Sequence, residues 1–273
     1  MKISIKSILI KSLRISILSY AGLILLLFIF QRRLIYLPTG ITLERALIRA
    51  EMTGFDPWYV SGELLGFSSD PGDSDSAVLI LHGNEGSALD RGYLVEILRQ
   101  AGLGDWNIYI MEYPGFGARG GRSSENSFFS SGEVALLDLD EKYRKLIIVG
   151  ESIGGGTASY LAGRFPEKVD GLILSTPFDS LAGAASARFP YLPVRIMLLD
   201  RFDNKAGLSG YSGPVSFIAL EKDPFIPKEL SAALYESYEG PGLFLSVPGK
   251  SYSFLYSSSN LGIWEEAVLF VEP

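Results

Sequence analysis

The chain of 273 residues has no cysteine and a single histidine, His82. The absence of cysteine excludes disulfides, thiolate metal sites and cysteine nucleophiles. With only one histidine, a transition-metal site has almost no side chains from which it could be built. We therefore expect no metal and no other cofactor, and only His82 could supply an imidazole as a general base.

Acidic residues are missing from residues 1–33, which carry six Lys and Arg side chains. The whole chain has a net charge of −7, so the remaining residues hold 18 basic against 31 acidic side chains, a net charge of −13. Phosphate binding needs clustered Lys and Arg, and this anionic body therefore argues against nucleic acid as a partner. A solvated acidic surface is the simplest explanation of the charge.

An uncharged apolar stretch, residues 15–30, follows the basic start. As a helix it spans about 24 Å against a hydrocarbon core of ~30 Å, and the preceding apolar residues can extend it while Lys11 and Arg14 snorkel. A cleaved signal peptide is the alternative, but no small-residue cleavage site follows the apolar stretch. The sequence favours a retained single-pass membrane anchor over residues 1–33.

The orientation of this anchor depends on the basic residues at its two ends. Four precede the apolar stretch, and Arg32 and Arg33 follow it. The excess at the amino-terminal end favours that end in the cytoplasm. We therefore expect a membrane protein with its soluble body on the extracytoplasmic side.

In residues 34–273, apolar runs of strand length alternate with stretches of helical spacing. The predicted strands are residues 77–81, 107–111, 146–149, 171–174, 215–220 and 243–247. The predicted helices are residues 88–101, 157–164, 229–238 and 264–271. This alternation predicts one α/β domain with a mainly parallel sheet covered by helices on both faces.

Residues 179–212 interrupt the alternation between two predicted strands. They include an apolar stretch, residues 189–199, that contains two prolines. Such a stretch is typical of a lid over a pocket, and equally of a packed surface helix, because sequence does not separate a mobile lid from a fixed excursion. Both interpretations stay open.

A G-x-S-x-G motif, Gly-Glu-Ser-Ile-Gly at residues 150–154, lies between a predicted strand and a predicted helix. This is the pattern of a nucleophile elbow, with Ser152 as the nucleophile of acyl transfer. An earlier strand leads into His82 and Asn84, where such a fold supplies one backbone N–H of an oxyanion hole. We expect Asn84 and Ile153 to donate the two N–H groups. His82 precedes Ser152, the wrong chain order for the base, and is expected to be structural.

Several further motifs carry a family resemblance. They are Tyr-Leu-Pro at 36–38, His-Gly-Asn at 82–84, Glu-Tyr-Pro-Gly-Phe-Gly at 112–117, the elbow, and Asp-Pro-Phe-Ile-Pro at 223–227. The chain resembles membrane-anchored α/β-hydrolases of the serine aminopeptidase and lysophospholipase-like group. The resemblance implies an α/β-hydrolase fold, hydrolysis of acyl esters or amides, and a small-molecule or lipid acyl substrate. It also implies Asp223 as the triad acid, with Asp179 as a less favoured alternative.

The resemblance further implies a P-G-x-x-H turn after the last strand, but Tyr252 stands at the histidine position. Tyrosine has a pKa of about 10, so about one part in a thousand is phenolate near pH 7. Lys250 could replace the base only if desolvation lowered its pKa by about three units. We therefore expect weak or lost hydrolysis. The alternative is a non-catalytic pseudohydrolase that binds an acyl ligand or a protein partner.

Overall fold

An eight-stranded sheet lies at the centre of the computed structural model, which describes residues 5–69 and 73–272. The strands in these residues are β1 (Leu37–Pro38), β2 (Asp56–Val60), β3 (Glu63–Ser69), β4 (Ser76–Leu81), β5 (Glu85–Gly86), β6 (Asn107–Met111), β7 (Lys145–Glu151), β8 (Gly171–Ser175), β9 (Val215–Leu220) and β10 (Gly242–Val247). Their order in the large sheet is β10-β9-β8-β7-β4-β6-β3-β2, and β1 pairs separately with β5. All pairs are parallel except β2–β3 and β3–β6.

The helices surround this sheet. They are α1 (Ile5–Ile35), α2 (Leu43–Thr53), α3 (Gly92–Leu98), α4 (Glu125–Asp140), α5 (Gly154–Arg164), α6 (Leu181–Arg188), α7 (Val194–Met197), α8 (Asn204–Leu208), α9 (Lys228–Glu236), α10 (Tyr252–Leu255) and α11 (Leu261–Val271). Short 3₁₀ turns also occur at Ala88–Arg91, Pro166–Lys168 and Ser258–Asn260.

Burial of the central strands on both faces explains why they are continuous apolar runs. Successive side chains of a strand point to opposite faces. In β4, Leu79 and Leu81 pack into one hydrophobic cluster, whereas Val78 and Ile80 pack into the other. Helices α4 and α5 contribute to the first cluster, and α3 and α11 to the second. The predicted fold class, a mainly parallel sheet with helices on both faces and an N-terminal apolar helix, is confirmed.

The elements that the sequence analysis did not identify include the antiparallel edge of the sheet and helices α2 and α4. Strands β2 and β3 mix polar and apolar residues, and α2 is largely exposed. None of these three elements therefore has a continuous apolar run. Helix α4 begins at a serine-rich turn where Ser124 and Ser127 form a reciprocal capping box. The predicted helix 88–101 is divided into a 3₁₀ turn, α3 and a π turn that ends near Gly102, whose φ is +119°.

Helix α1 contains the predicted anchor, apart from residues 1–4, which lie outside the described residues. Its part Leu9–Ile35 is 27 residues long and is apolar enough to cross a membrane. At 1.5 Å per residue this length is about 40 Å, more than a hydrocarbon core requires. Almost all of its described side chains are exposed in the protein alone, but Gln31 near its end is buried.

The segment between β8 and β9, which contains the possible lid 179–212, holds α6, α7 and α8. Its last part is held firmly, because Gly207 of α8 packs against Gly163 of α5 so closely that a Cβ at Gly163 would lie 1.8 Å from the Gly207 carbonyl oxygen. The middle part, residues 189–199, extends along α1 instead. Whether the segment moves as a lid stays a prediction.

Candidate active site

Ser152 lies in a sharp turn between the end of β7 and the start of α5. Its φ is +52°, in the left-handed region that L-residues rarely adopt. A serine held in this conformation between a strand and a helix has the geometry of a nucleophile elbow, in which the hydroxyl stands clear of the sheet. The Ser152 N–H donates to the carbonyl of Ser175 at 2.9 Å, which fixes the turn to the end of β8.

The two glycines of the motif are required by close backbone approach. A Cβ at Gly154 would lie 2.0 Å from the carbonyl oxygen of Leu81, and a Cβ at Gly150 would lie 2.7 Å from the Cα of Gly155. Contacts this short between a side chain and a fixed backbone cannot be relieved without moving the strand or the helix. The structure therefore requires glycine at both glycine positions of the motif, because a side chain at either one would clash with the backbone.

The predicted oxyanion donors lie on two loops beside the elbow. Ile153 immediately precedes α5, so its N–H belongs to the helix terminus, where N–H groups have no intrahelical partner. Asn84 follows β4, and its side-chain amide and its backbone carbonyl both form hydrogen bonds to the end of α1 and the start of β1. Its Nδ2 donates to the carbonyl of Ile35 at 2.7 Å, and its carbonyl accepts from the Leu37 N–H at 2.8 Å. These bonds tie the loop to the end of α1.

Asp223 and Tyr252 lie side by side after β9 and β10. The Tyr252 Oη donates to Asp223 Oδ2 at 2.9 Å, while Asp223 Oδ1 accepts from the N–H groups of Phe225 and Ile226, both at 2.8 Å. Burial, followed by the charge of Asp223 and this hydrogen bond, raises the pKa of the Tyr252 phenol well above its ordinary value. The charge of Glu151, next to Ser152, acts in the same direction.

Ser152, Asp223 and Tyr252 all lie at the end of the sheet where the parallel strands have their carboxyl termini. They follow β7, β9 and β10, which run parallel, so the carboxyl ends of these strands meet there. In open α/β sheets this end is where ligands bind.

The remaining candidate bases and acids lie elsewhere. His82 is fully buried, with Nδ1 2.8 Å from the Gly83 carbonyl and its ring packed against Tyr113. Lys250 is exposed on the turn after β10. Asp179 accepts the N–H of Ser180 at 2.6 Å, beside the start of α6. The structure therefore brings Asp223 and not Asp179 to Tyr252.

A buried ion pair behind the elbow was not found by sequence reasoning. The Arg91 Nε donates to Glu151 Oε2 at 2.8 Å, and both side chains are less than a tenth exposed. Tyr93 donates to Glu151 Oε1 at 2.7 Å, and the Gly83 N–H donates to Oε2 at 3.0 Å. Glu151 thus connects the elbow to the loop that carries Asn84. In the sequence, the only indication of this pair is the acidic residue Glu151 at the variable position of the G-x-S-x-G motif.

Burial alone raises the pKa of the Glu151 carboxyl, but the charge of Arg91 and the hydrogen bonds from Tyr93 and Gly83 outweigh burial. The net pKa of Glu151 is therefore below its ordinary value. The group is a buried carboxylate at neutral pH with both oxygens hydrogen-bonded, and it connects the two loops.

The sheet order, the elbow and the strand-end site define a protein of the α/β-hydrolase class. A family model described as "alpha/beta hydrolase fold" matches residues 76–210. The chain is 30% identical over 210 residues to the "Uncharacterized membrane protein YNL320W" of Saccharomyces cerevisiae, covering 72% of this chain and 69% of that protein. The chain belongs to the α/β-hydrolase fold family.

Two further comparisons agree. The "Uncharacterized protein Rv2307c" of Mycobacterium tuberculosis is 29% identical over 248 residues, which is 85% of this chain and 84% of that one. Among solved structures, the Pyrococcus furiosus esterase Pf2001 superposes with a TM-score of 0.63 at 15% identity, covering 86% of this chain and 95% of its own. At this identity the likeness shows the fold alone. The apolar helix α1 and the membrane-named relative support membrane association.

Proposed function

We propose that the protein is a membrane-anchored hydrolase-fold protein of serine-hydrolase type in which Tyr252 replaces the triad histidine, so that hydrolysis of acyl esters or amides is weak or lost. Ser152 is the nucleophile, Asp223 the acid, and the N–H groups of Asn84 and Ile153 form the oxyanion hole. The structural neighbour named as an esterase supports a small-molecule or lipid acyl substrate.

The contact between Tyr252 and Asp223 carries this proposal. In a triad, histidine donates one ring N–H to the acid and accepts the serine proton on the other nitrogen. Tyrosine has one oxygen, and the Tyr252 O–H already donates to Asp223 at 2.9 Å. Burial and the Asp223 charge raise the pKa of Tyr252, so phenolate is even scarcer than in free tyrosine. The residue at the base position therefore holds its proton and has no second basic atom.

Replacement of the triad histidine is expected to lower the rate of hydrolysis greatly. Removing a triad base lowers kcat by a factor on the order of 10⁶ and leaves the contributions of the oxyanion hole and of binding. In barrier terms this factor is about 8 kcal/mol. We expect the natural protein to hydrolyse activated esters barely above background.

Tyr252→His tests the proposal. A neutral imidazole with a pKa of about 6.5 can accept the Ser152 proton while Asp223 fixes its tautomer. Hydrolysis of short p-nitrophenyl esters by the full-length protein in detergent should rise above the wild-type rate. The gain should disappear in Tyr252→His combined with either Ser152→Ala or Asp223→Asn.

Tyr252→Phe is the matched control, because it keeps the ring and removes only the hydroxyl. It should hydrolyse no faster and no slower than the natural protein. Wild-type turnover of several per second that survives Tyr252→Phe contradicts the proposal and directs attention to Lys250 or His82 as the base.

A second candidate function is non-catalytic binding of an acyl ligand or a protein partner. The observation that favours it is an intact elbow without a base. Ser152 keeps its positive φ and both motif glycines are tightly packed, but Asp223 is hydrogen-bonded to a tyrosine and not to an imidazole. Calorimetry with a non-hydrolysable alkyl ether analogue of a monoacylglycerol measures such binding directly. Binding by the natural protein without Ser152-dependent turnover favours this function, and Ser152-dependent turnover by the natural protein favours the first.

We also propose the arrangement of the chain in the membrane. Residues 1–33 form the single-pass anchor and residues 34–273 the hydrolase domain, with residues 179–212 as a possible lid. The excess of basic residues before the apolar stretch supports an extracytoplasmic body. Labelling of an engineered cysteine in the body of intact cells by a membrane-impermeant maleimide tests the orientation, and labelling only after lysis overturns it.

A further inference from the structure

Residues 189–199 present an unusual number of large apolar side chains to the outside. The exposed fractions are 51% for Phe189, 89% for Tyr191, 82% for Ile196 and 53% for Leu199. Such side chains occurring singly on a surface need no explanation, but four in eleven residues form a patch of the kind that marks an interaction surface.

This segment lies along the membrane helix and not only against its end. The Tyr20 Oη donates to the Tyr191 carbonyl at 2.6 Å, and the Leu199 N–H donates to Gln31 Oε1 at 2.8 Å. Tyr20 and Gln31 are about 16 Å apart along a helix. Since Tyr20 lies within the uncharged residues 15–30, the segment reaches the level of the part of α1 that is built for hydrocarbon.

The backbone of the segment is suited to an environment without water. Unpaired N–H and C=O groups are costly in lipid, so backbone at membrane depth must be satisfied by the protein. In residues 189–199, seven N–H groups donate within the protein, and Pro190 and Pro193 have no N–H to satisfy. Gln31 also donates to the Met197 carbonyl at 3.2 Å. Side chains of α1 thus form hydrogen bonds with three backbone groups of the segment, the Tyr191 and Met197 carbonyls and the Leu199 N–H.

The charge of this region differs from that of the rest of the body. Residues 186–199 contain Arg188 and Arg195 and no acid, although residues 34–273 carry a net charge of −13. Both arginines are exposed, as is Arg33 at the end of α1. Basic side chains beside a membrane segment are attracted to anionic lipid headgroups in whichever leaflet they face. A surface that is locally basic and apolar, on a body that is otherwise acidic, is better suited to contact with a bilayer than to contact with water.

We propose that residues 189–199 insert into the lipid leaflet beside α1, with Phe189, Tyr191, Ile196 and Leu199 in contact with acyl chains. Arg188 and Arg195 then meet anionic headgroups. The segment lies between β8 and β9, whose carboxyl ends border the candidate active site. Insertion therefore places this side of the site at the bilayer surface, from which a lipid acyl ligand is delivered. The proposal rests on the membrane location of α1 and is independent of whether the protein turns over a substrate.

Single-cysteine labelling tests the insertion, and the absence of cysteine from the chain makes it direct. Full-length Tyr191→Cys and Ile196→Cys proteins are labelled with the environment-sensitive dye NBD and reconstituted into vesicles of phosphatidylcholine and phosphatidylglycerol. Leu269→Cys is the matched control. Leu269 is 77% exposed on α11, which packs on the opposite face of the sheet from Ala184 and Phe202, the residues that flank the segment in the hydrophobic core.

Insertion predicts blue-shifted emission at positions 191 and 196 that nitroxide-labelled lipids quench several-fold more strongly than emission at 269. Iodide in the water should quench the label at 269 and not the other two. Equal iodide quenching at all three positions overturns the proposal, because the segment then faces water. Protection from both quenchers also overturns it, because a protein contact then covers the patch. Neither measurement depends on ester hydrolysis.

Discussion

The buried pair of Arg91 and Glu151 gives a prediction whose size and pH dependence both follow from the structure. Arg91→Met keeps an unbranched apolar side chain but removes the charge. It leaves the Glu151 carboxylate, 6% exposed, with only the Tyr93 hydroxyl and the Gly83 N–H as donors. Breaking a buried ion pair by removing one partner costs about 3–5 kcal/mol, because the remaining charge is uncompensated. The free energy of unfolding should fall by this amount near neutral pH.

The cost should depend on pH in a defined direction. In the natural protein the pKa of Glu151 is lowered, so its contribution to stability is present above the unfolded pKa of about 4.3 and is lost as pH falls through the folded value. In Arg91→Met, burial remains and the opposing charge is gone, so the pKa of Glu151 rises above the unfolded value. The folded variant then gains stability from protonation as pH falls. The difference between variant and natural protein should therefore shrink between about pH 7 and pH 4.5.

Thermal unfolding of the full-length protein in detergent measures this effect. For a domain of this size, ~1 kcal/mol shifts Tm by about 2–4 °C, so Arg91→Met should lower Tm by roughly 10 °C at pH 7. Lys142→Met is the matched control, because Lys142 pairs with Asp138 on the surface at 2.7 Å with 45% of its side chain exposed. A surface pair contributes about 0–1 kcal/mol. If Arg91→Met unfolds within 2 °C of the control at every pH, the reasoning about the buried pair is refuted.

Two further predictions concern the elbow and the anchor. Ser152→Gly should be more stable than Ser152→Ala by about 1 kcal/mol, because both remove the hydroxyl but only alanine keeps a Cβ at the φ of +52°; equal unfolding midpoints of the two variants contradict a strained elbow. The full-length chain should remain in membranes after carbonate extraction, and a mature protein that begins after about residue 30 and is released in soluble form contradicts a retained anchor.

The parts of the fold that the sequence predicts are those whose pattern has one physical cause. Strands β6 and β9 have the bounds that the sequence predicts, 107–111 and 215–220, because burial on both faces leaves runs that are mostly apolar. Strand β3 has the pattern Glu-Leu-Leu-Gly-Phe-Ser-Ser, in which Gly66 is needed because a Cβ would lie 2.1 Å from the Ile110 carbonyl oxygen. A glycine and two serines weaken the strand pattern, so long-range packing decides that element.

The residues of the candidate site likewise include some that the sequence predicts and some that it does not. Ser152 is predictable because the glycines, the strand and the helix of an elbow are contiguous in sequence. The pairing of Arg91 and Glu151 is not predictable, because it joins residues 60 positions apart and leaves no local pattern. The neighbourhood of Asp223 and Tyr252 depends on the family resemblance, and the structure adds the hydrogen bond that the resemblance does not specify.

The end of α1 is connected to the candidate site by hydrogen bonds. Ile35 accepts a hydrogen bond from the Asn84 side chain, on the loop that supplies one proposed oxyanion donor. Arg32 donates to both carboxylate oxygens of Asp200, at 2.8 and 2.9 Å, and Asp200 is 2% exposed. Removal of residues 1–33 therefore takes away the cation that pairs with this buried carboxylate and leaves the Tyr36 hydroxyl, at 3.0 Å, as its remaining side-chain donor, which destabilises this part of the body. Low activity of such a truncated body reports on this damage as well as on Tyr252, so only the full-length chain isolates the effect of the missing histidine.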